Sequence, residues 1–388
     1  MAGNLTKTIE GIIPEIIALR HEIHQHPEIR FEERWTSDRI AQFLDQAGIE
    51  YQRGYGRGTG IVATLRGVGS RTVALRADMD ALEIQEETGL PYASQIPYRM
   101  HACGHDGHAA CLCGAAQVLA RHKVELFGTV KFIFQPAEEM AGGGRLMVEQ
   151  GVLEDVDAAF ALHGWPSIPV GHVALKPGWI MAGAQDFRIL VRGAGCHGAD
   201  PRSGIDPVVP AAHITTALHT IVGREINPWE TAVVTVSIIQ AGHATNIIPE
   251  VAELQGTIRT LTPQLQQTVA ESVRRMAKDI ARAFRASAEI ELGGEPYPPL
   301  YNDPTMTEFV RRAVVEELGK ERLVDLEAPC MASEDFAFYL QRVPGVFMYL
   351  GVNPDPEKPY PPLHSPRYNF PDEAIPPGIQ LLSALAIR

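Results

Sequence analysis

Apolar runs of strand length alternate with amphipathic stretches of helical period through the first third of this 388-residue chain, and that alternation limits the fold more than any other feature. Ile9, Ile12, Ile13, Ile16, Ile17 and Ile23 recur at helical spacing until Pro27 ends the pattern. A second amphipathic stretch runs from Thr36 to Ala47 and stops at Gly48, a residue suited to closing a helix. Gly60 to Leu65 and Arg71 to Ala77 read as strands on either side of the turn RGVGS. Asp106 is the expected cap of a helix reaching His122, and Gly128 to Gln135 is the next buried strand. Helices interleaved with apolar strands predict an α/β fold with helices packed on a sheet.

The pattern changes near Ala182. Strand-like segments at Asp186–Val191, Ala232–Gln240, Val251–Arg259 and Ser287–Leu292 are joined by helical ones at Pro207–Arg224 and Pro263–Phe284. Strand, helix, strand, strand, helix, strand is the split pattern of a ferredoxin-like two-layer unit. The expectation is therefore a large discontinuous α/β catalytic domain, residues 1–182 and 295–388, with a ferredoxin-like α+β lid inserted at 183–294. A length of 388 residues fits that division at about 150 residues per domain.

Composition excludes several functions. A net charge of −13 repels a phosphate backbone, and no Lys/Arg run offers a local basic patch, so nucleic acid is not an expected partner. The opening MAGNLTKTIEGII lacks the charged, apolar and small-residue regions of a secretory signal, and no apolar run has membrane-spanning length. The odd cysteine set Cys103, Cys111, Cys113, Cys196 and Cys330 suits a reducing, cytoplasmic setting and leaves thiols for metal or catalysis.

The chemistry concentrates in short motifs. In MHACGHDGH, Cys103 and His105 stand two apart before a helix, where a thiolate and a neutral imidazole can face one ion. Alternatives are a polar helix start with an incidental cysteine, or a Cys103 nucleophile with His105 as its base. FIFQPAEE ends a buried strand in Glu138 and Glu139; one carboxylate can hold metal while its neighbour takes a proton, unless the pair is only a solvated acidic loop. His163 in FALHGW and His364 in PLHSPRYNF are lone histidines that would ordinarily be structural. His21, His24 and His26 in HEIHQHPE close a helix, where they complement its dipole and bond its last carbonyls, and so read as a decoy for a metal site.

Taken in order, MHACGHDGH, QPAEE, LHGW and LHSPRY, with LRADMDAL and SEDFAFYL, resemble the aminoacylase, hippurate hydrolase and auxin-conjugate hydrolase group of metallopeptidases. The resemblance covers nearly the whole chain. It implies two divalent ions per subunit, zinc, manganese, cobalt or nickel, held by Cys103, His105, Glu139, His163 and His364. Glu138 would be the general base and acid, and Asp80 the carboxylate that orients a ligand. In the insert it implies His197 as a donor to the scissile carbonyl, often in a partner subunit's site, with Asn246 and Arg259 binding the substrate carboxylate. It further implies a homodimer or other homo-oligomer formed through the lid. The implied reaction is hydrolysis of N-acyl amino acids to a carboxylic acid and a free amino acid, with a dipeptidase or carboxypeptidase as the alternative. Two departures bear on substrate range: Arg202 follows Pro201 where a histidine is common, and Trp165 stands where a smaller residue is usual.

Overall fold

The computed structural model describes residues 2–294 and 296–388. They form two compact units, one of residues 2–178, 301–328 and 335–388, the other of 179–294, 296–300 and 329–334. Glu295, at the expected seam of the insert, lies outside the described residues.

The first unit is built on an eight-stranded mixed sheet. Its order is Glu50–Tyr55, Gly60–Arg66, Gly128–Gln135, Arg71–Asp78, Ala158–Pro169, Gly345–Asn353, Val173–Leu175 and Leu323–Asp325. The central strands run parallel: Arg71–Asp78 lies between Gly128–Gln135 and Ala158–Pro169, and the last of these pairs with Gly345–Asn353. Central parallel strands are covered on both faces, which is why Gly345–Asn353 is buried at every position. Parallel strands also open a crevice at their carboxyl ends, and functional loops gather there.

The helix His105–Arg121 is buried from His105 through Leu119. It packs on the helices Ala2–Gln25 and Ile375–Ile387, and Gly114 lets Ile379 approach where a Cβ would lie 2.4 Å from its Cδ1. From Ala109 to Ala116 every residue is small or apolar, so no face of this part calls for water. The expected cap is corrected here. Gly104, at φ 91°, precedes the first turn, while the Asp106 carboxylate accepts from Arg20 Nε and meets His24 Nδ1, both at 2.8 Å. Arg20 is fully buried, and a buried guanidinium without a carboxylate would be far more costly than an uncapped helix end. The second helix, Arg34–Ala47, stops at Gly48 in the left-handed conformation, φ 68°, as its sequence predicts.

The second unit carries a four-stranded antiparallel sheet in the order Ala232–Ala241, Val251–Thr260, Gly183–Arg192, Ser287–Leu292. Its helices Val208–Leu218 and Pro263–Ala283 cover one face around Ile189, Ile214, Leu254 and Val273. The expected helix 207–224 is broken at His219–Thr220 into Val208–Leu218 and Ile221–Arg224. Among the described residues no helix is long and apolar enough to cross a membrane.

Candidate metal and catalytic site

The site stands at the carboxyl ends of the parallel strands of the first unit. The strand Arg71–Asp78 delivers Asp78 and, two residues on, Asp80, both buried. The strand Gly128–Gln135 runs into Pro136 and then a sharp elbow at Ala137, φ 55° and ψ 46°, which starts the one-turn helix Glu138–Ala141. His163 lies within Ala158–Pro169. Cys103 ends the loop before His105–Arg121, and His364 joins that loop by donating its N–H to the Ala102 carbonyl at 2.9 Å.

Five sequence-predicted ligands thus share one pocket. Ligand atoms of Cys103, His105 and His163 lie within 4.8 Å of one another, as do those of Cys103, Glu139 and His364, and those of His105, Glu138 and Glu139. Cys103 Sγ is 3.4 Å from His163 Nε2; Glu139 Oε1 is 3.3 Å from His364 Nε2 and 3.9 Å from His105 Nε2. Cys103, His105 and Glu139 each belong to two of these groups, so the three groups form one continuous cluster.

Hydrogen bonds behind the pocket fix which ring nitrogen faces it. His105 Nδ1 donates to Asp80 Oδ1 at 3.1 Å, leaving Nε2 aimed inward without a hydrogen-bond partner. His163 Nδ1 donates to the Gly164 carbonyl at 2.9 Å, which leaves Nε2 facing Cys103. Outer partners that set the tautomer are what a ligating histidine needs.

The electrostatics fit a cation. Burial opposes charge on His105, yet Asp78, Asp80 and Glu139 outweigh it and push its pKa up to about 10. The ring then carries a proton where a divalent ion would sit. Burial drives His163 well below its ordinary value, so this imidazole is neutral. Burial, with Glu139 and Glu138 beside it, pushes the Cys103 thiol well up; the thiol pairs with His163 but has no thiolate character without a cation, which weighs against a cysteine nucleophile. A buried imidazole nitrogen without a hydrogen-bond partner and a thiol beside the carboxylates of Asp78, Glu138 and Glu139 form a donor set for one or two divalent ions.

The sequence reading missed a network behind the candidate ligands. His108 Nδ1 donates to Asp78 Oδ1 at 2.6 Å, and Gly164 N–H donates to His108 Nε2 at 2.8 Å, so the Gly164 peptide is held on both sides next to His163. Arg76 reaches Asp78 at 2.7 Å and Asp335 at 2.9 Å, and Asp335 Oδ2 accepts from Gly144 N–H at 2.7 Å. The available signal was an arginine and an aspartate inside the apolar strand LRADMDAL, where burial demands charged partners. Of the helix-end histidines, only His26 bonds a late carbonyl as expected, and the other two are held by carboxylates. His26 Nδ1 bonds the Glu22 carbonyl, whereas His21 and His24 pair with Asp372 and Asp106.

Residues 74–388 match the sequence pattern of peptidase family M20/M25/M40. The chain belongs to this family. It is 39% identical over 374 residues to an N-acetylcysteine deacetylase of Bacillus subtilis, covering 96% of each chain. It is 38% identical over 382 residues to IAA-amino acid hydrolase ILR1-like 5 of Arabidopsis thaliana, covering 98% of this chain and 87% of the other. Among solved structures it resembles the Bacillus subtilis YXEP protein, a dinuclear metal binding peptidase from the M20 family. That match has TM-score 0.85 and 36% identity over 97% of this chain and 98% of the other.

The remaining predicted residues lie in the second unit. His197 pairs with Ile247 in a two-stranded ribbon, and the Asn246 carbonyl accepts from Gly198 N–H at 2.8 Å, so these two motifs adjoin. Ala199 N–H donates to His197 Nδ1 at 3.0 Å, placing the ring proton on Nε2. Arg259 Nη1 donates to Ser333 Oγ at 2.8 Å. Arg202 is exposed in the turn Pro201–Ser203. Trp165 stacks on Tyr349 with ring centres 4.0 Å apart.

Proposed function

We propose that this protein hydrolyses the amide bond of N-acyl amino acids, with two divalent ions held by Cys103, His105, Glu139, His163 and His364. The observation that carries this reading is the convergence of those donors beside Glu138. Bound ions would supply Lewis-acid polarisation of the acyl carbonyl and a lowered pKa for water. Glu138 then takes a proton from the attacking water. The water oxygen bonds to the acyl carbon, the C–N bond breaks toward nitrogen, and Glu138 passes its proton to that leaving amine. Asp335 N–H, 3.4 Å from Glu138 Oε1, steers the carboxylate while it does so.

The second unit supplies the substrate contacts. His197 Nε2–H serves as donor to the developing oxyanion, and Arg259 with Asn246 reads the amino-acid carboxylate through a guanidinium fork and an amide. That unit also acts as the lid and carries the contact of a homodimer. Beside His163, a groove of about 700 Å³ is lined by Trp165, Tyr360 and Leu363 with Glu357 and Lys358 among them, and its aromatic part suits an aryl acyl group.

The test is a panel of N-acetyl, N-benzoyl and N-indoleacetyl amino acids beside unacylated dipeptides, assayed on wild type and Glu138→Ala. The expected result is turnover of the acylated compounds, lowered about 10²- to 10⁴-fold in Glu138→Ala with metal content unchanged. Preference for free dipeptides would favour a dipeptidase. An unimpaired Glu138→Ala would remove this residue from the mechanism.

A further inference from the structure

Glu33 is fully buried, and its carboxylate has no part in the chemistry described so far. It sits at the N-cap of the helix Arg34–Ala47, yet its side chain makes no capping bond there. Glu28 does that work instead, accepting from Trp35 N–H at 3.1 Å and Thr36 N–H at 2.9 Å. Glu33 is thereby released to reach across the fold.

What it reaches is the elbow before the proposed proton carrier. Glu33 Oε1 accepts from Ala137 N–H at 3.0 Å and from Phe31 N–H at 2.9 Å, and Oε2 accepts from Thr59 Oγ1 at 3.0 Å. Ala137 and Phe31, at φ 55° and 69°, are both in the left-handed region, where a residue with a Cβ stays only if its surroundings hold it. A single carboxylate oxygen thus pins two strained residues 106 positions apart in the chain. Ala137 is the residue from which Glu138 springs, and its own helix has no side-chain cap. One residue further on, Glu139 N–H is held by Asp80 Oδ2 at 3.1 Å.

We infer that Glu33 is a positioning residue for catalysis, holding the Ala137 elbow so that Glu138 is aimed at the reacting water. This rests on the reading of Glu138 as the proton carrier. What the elbow needs from Glu33 is an acceptor oxygen at Oε1. An amide retains that oxygen, and the Thr59 hydroxyl can turn to accept from the amide NH₂. The role is therefore one of geometry, and the charge of Glu33 is dispensable to it.

The experiment compares kcat, KM, bound metal and thermal midpoint for the metal-loaded wild type, Glu33→Ala, Glu33→Gln, Glu28→Ala and Glu138→Ala on one N-acyl amino acid. Glu33→Ala should lose about 10- to 100-fold in kcat, as supporting residues around metal sites do, with KM and metal content unchanged. Glu33→Gln should stay within about 3-fold of wild type, because it keeps the acceptor. Glu28→Ala, which uncaps the same helix without touching Ala137, should lower the thermal midpoint and leave kcat alone. If Glu33→Ala does not fold, Glu33→Asp, one methylene too short for Ala137, decides in its place. The inference is overturned if the deciding variant keeps its kcat, if its loss tracks metal content, if Glu33→Gln is as impaired as Glu33→Ala, or if Glu28→Ala loses kcat equally. A fully active Glu138→Ala would instead overturn the reading beneath it, so the two failures are told apart.

Discussion

Asp80 divides one carboxylate between two duties: Oδ1 accepts from His105 Nδ1 and Oδ2 from the Glu139 amide. A single side chain thus holds both the ring of one proposed ligand and the backbone of another, at the place in LRADMDAL where the family resemblance implies a ligand-orienting carboxylate. Glu33 had no such sign, because its task depends on an elbow that the sequence does not announce. Its carboxyl is pushed up to about 7, chiefly by burial and then by the charge of Asp80. The folded value lies above the ordinary 4.5, so the fold favours the protonated form. That contribution to stability is complete below about pH 4.5 and is lost as pH rises through about 7. Glu33→Gln is neutral throughout. Its stability relative to wild type should therefore climb between pH 4.5 and 7 and level off above, by an amount on the order of 3 kcal/mol. Urea denaturation across that range measures the difference, and a flat difference would contradict the buried-charge account.

At the scale of elements, what was legible followed from periodicity. Gly128–Gln135 falls where its apolar run predicts, and Gly48 closes its helix in the left-handed conformation. Three things were not legible. Asp106 looks like a cap, but tertiary demand from buried Arg20 and His24 overrides the local preference. The break at His219–Thr220 comes three residues before the nearest glycine, Gly223, and so is not marked where it falls. The elbow at Ala137 carries no glycine either, though left-handed backbone usually asks for one. The glycine lies later: a Cβ on Gly143 would stand 1.7 Å from the Pro136 carbonyl oxygen, so the elbow and the helix Gly143–Glu149 can pack only without it. Gly143→Ala should cost about 1–3 kcal/mol of stability and lower kcat by forcing the Glu138 turn open. Denaturant midpoints and steady-state kinetics check both effects, and a silent substitution would mean that the turn relaxes freely.

At the scale of the molecule, the order of motifs made the candidate site legible. Cys103, His105, Glu138, Glu139, His163 and His364 span most of the chain, and no local rule joins His163 to His364; only their order within a family pattern does. The network of Arg76, Asp78, His108 and Asp335 stayed hidden because its bonds link residues up to 259 positions apart. The segment 329–334, which belongs to the second unit, stayed hidden because a short irregular stretch has no period to read. The account of the whole rests on an electronegative pocket that is completed by divalent ions. Titrating zinc, manganese, cobalt and nickel separately into chelator-stripped protein, while following hydrolysis of an N-acyl amino acid and bound metal together, tests this most directly. The account predicts no turnover without metal and full turnover at two bound ions per chain with at least one of the four; full turnover by the stripped protein would contradict it.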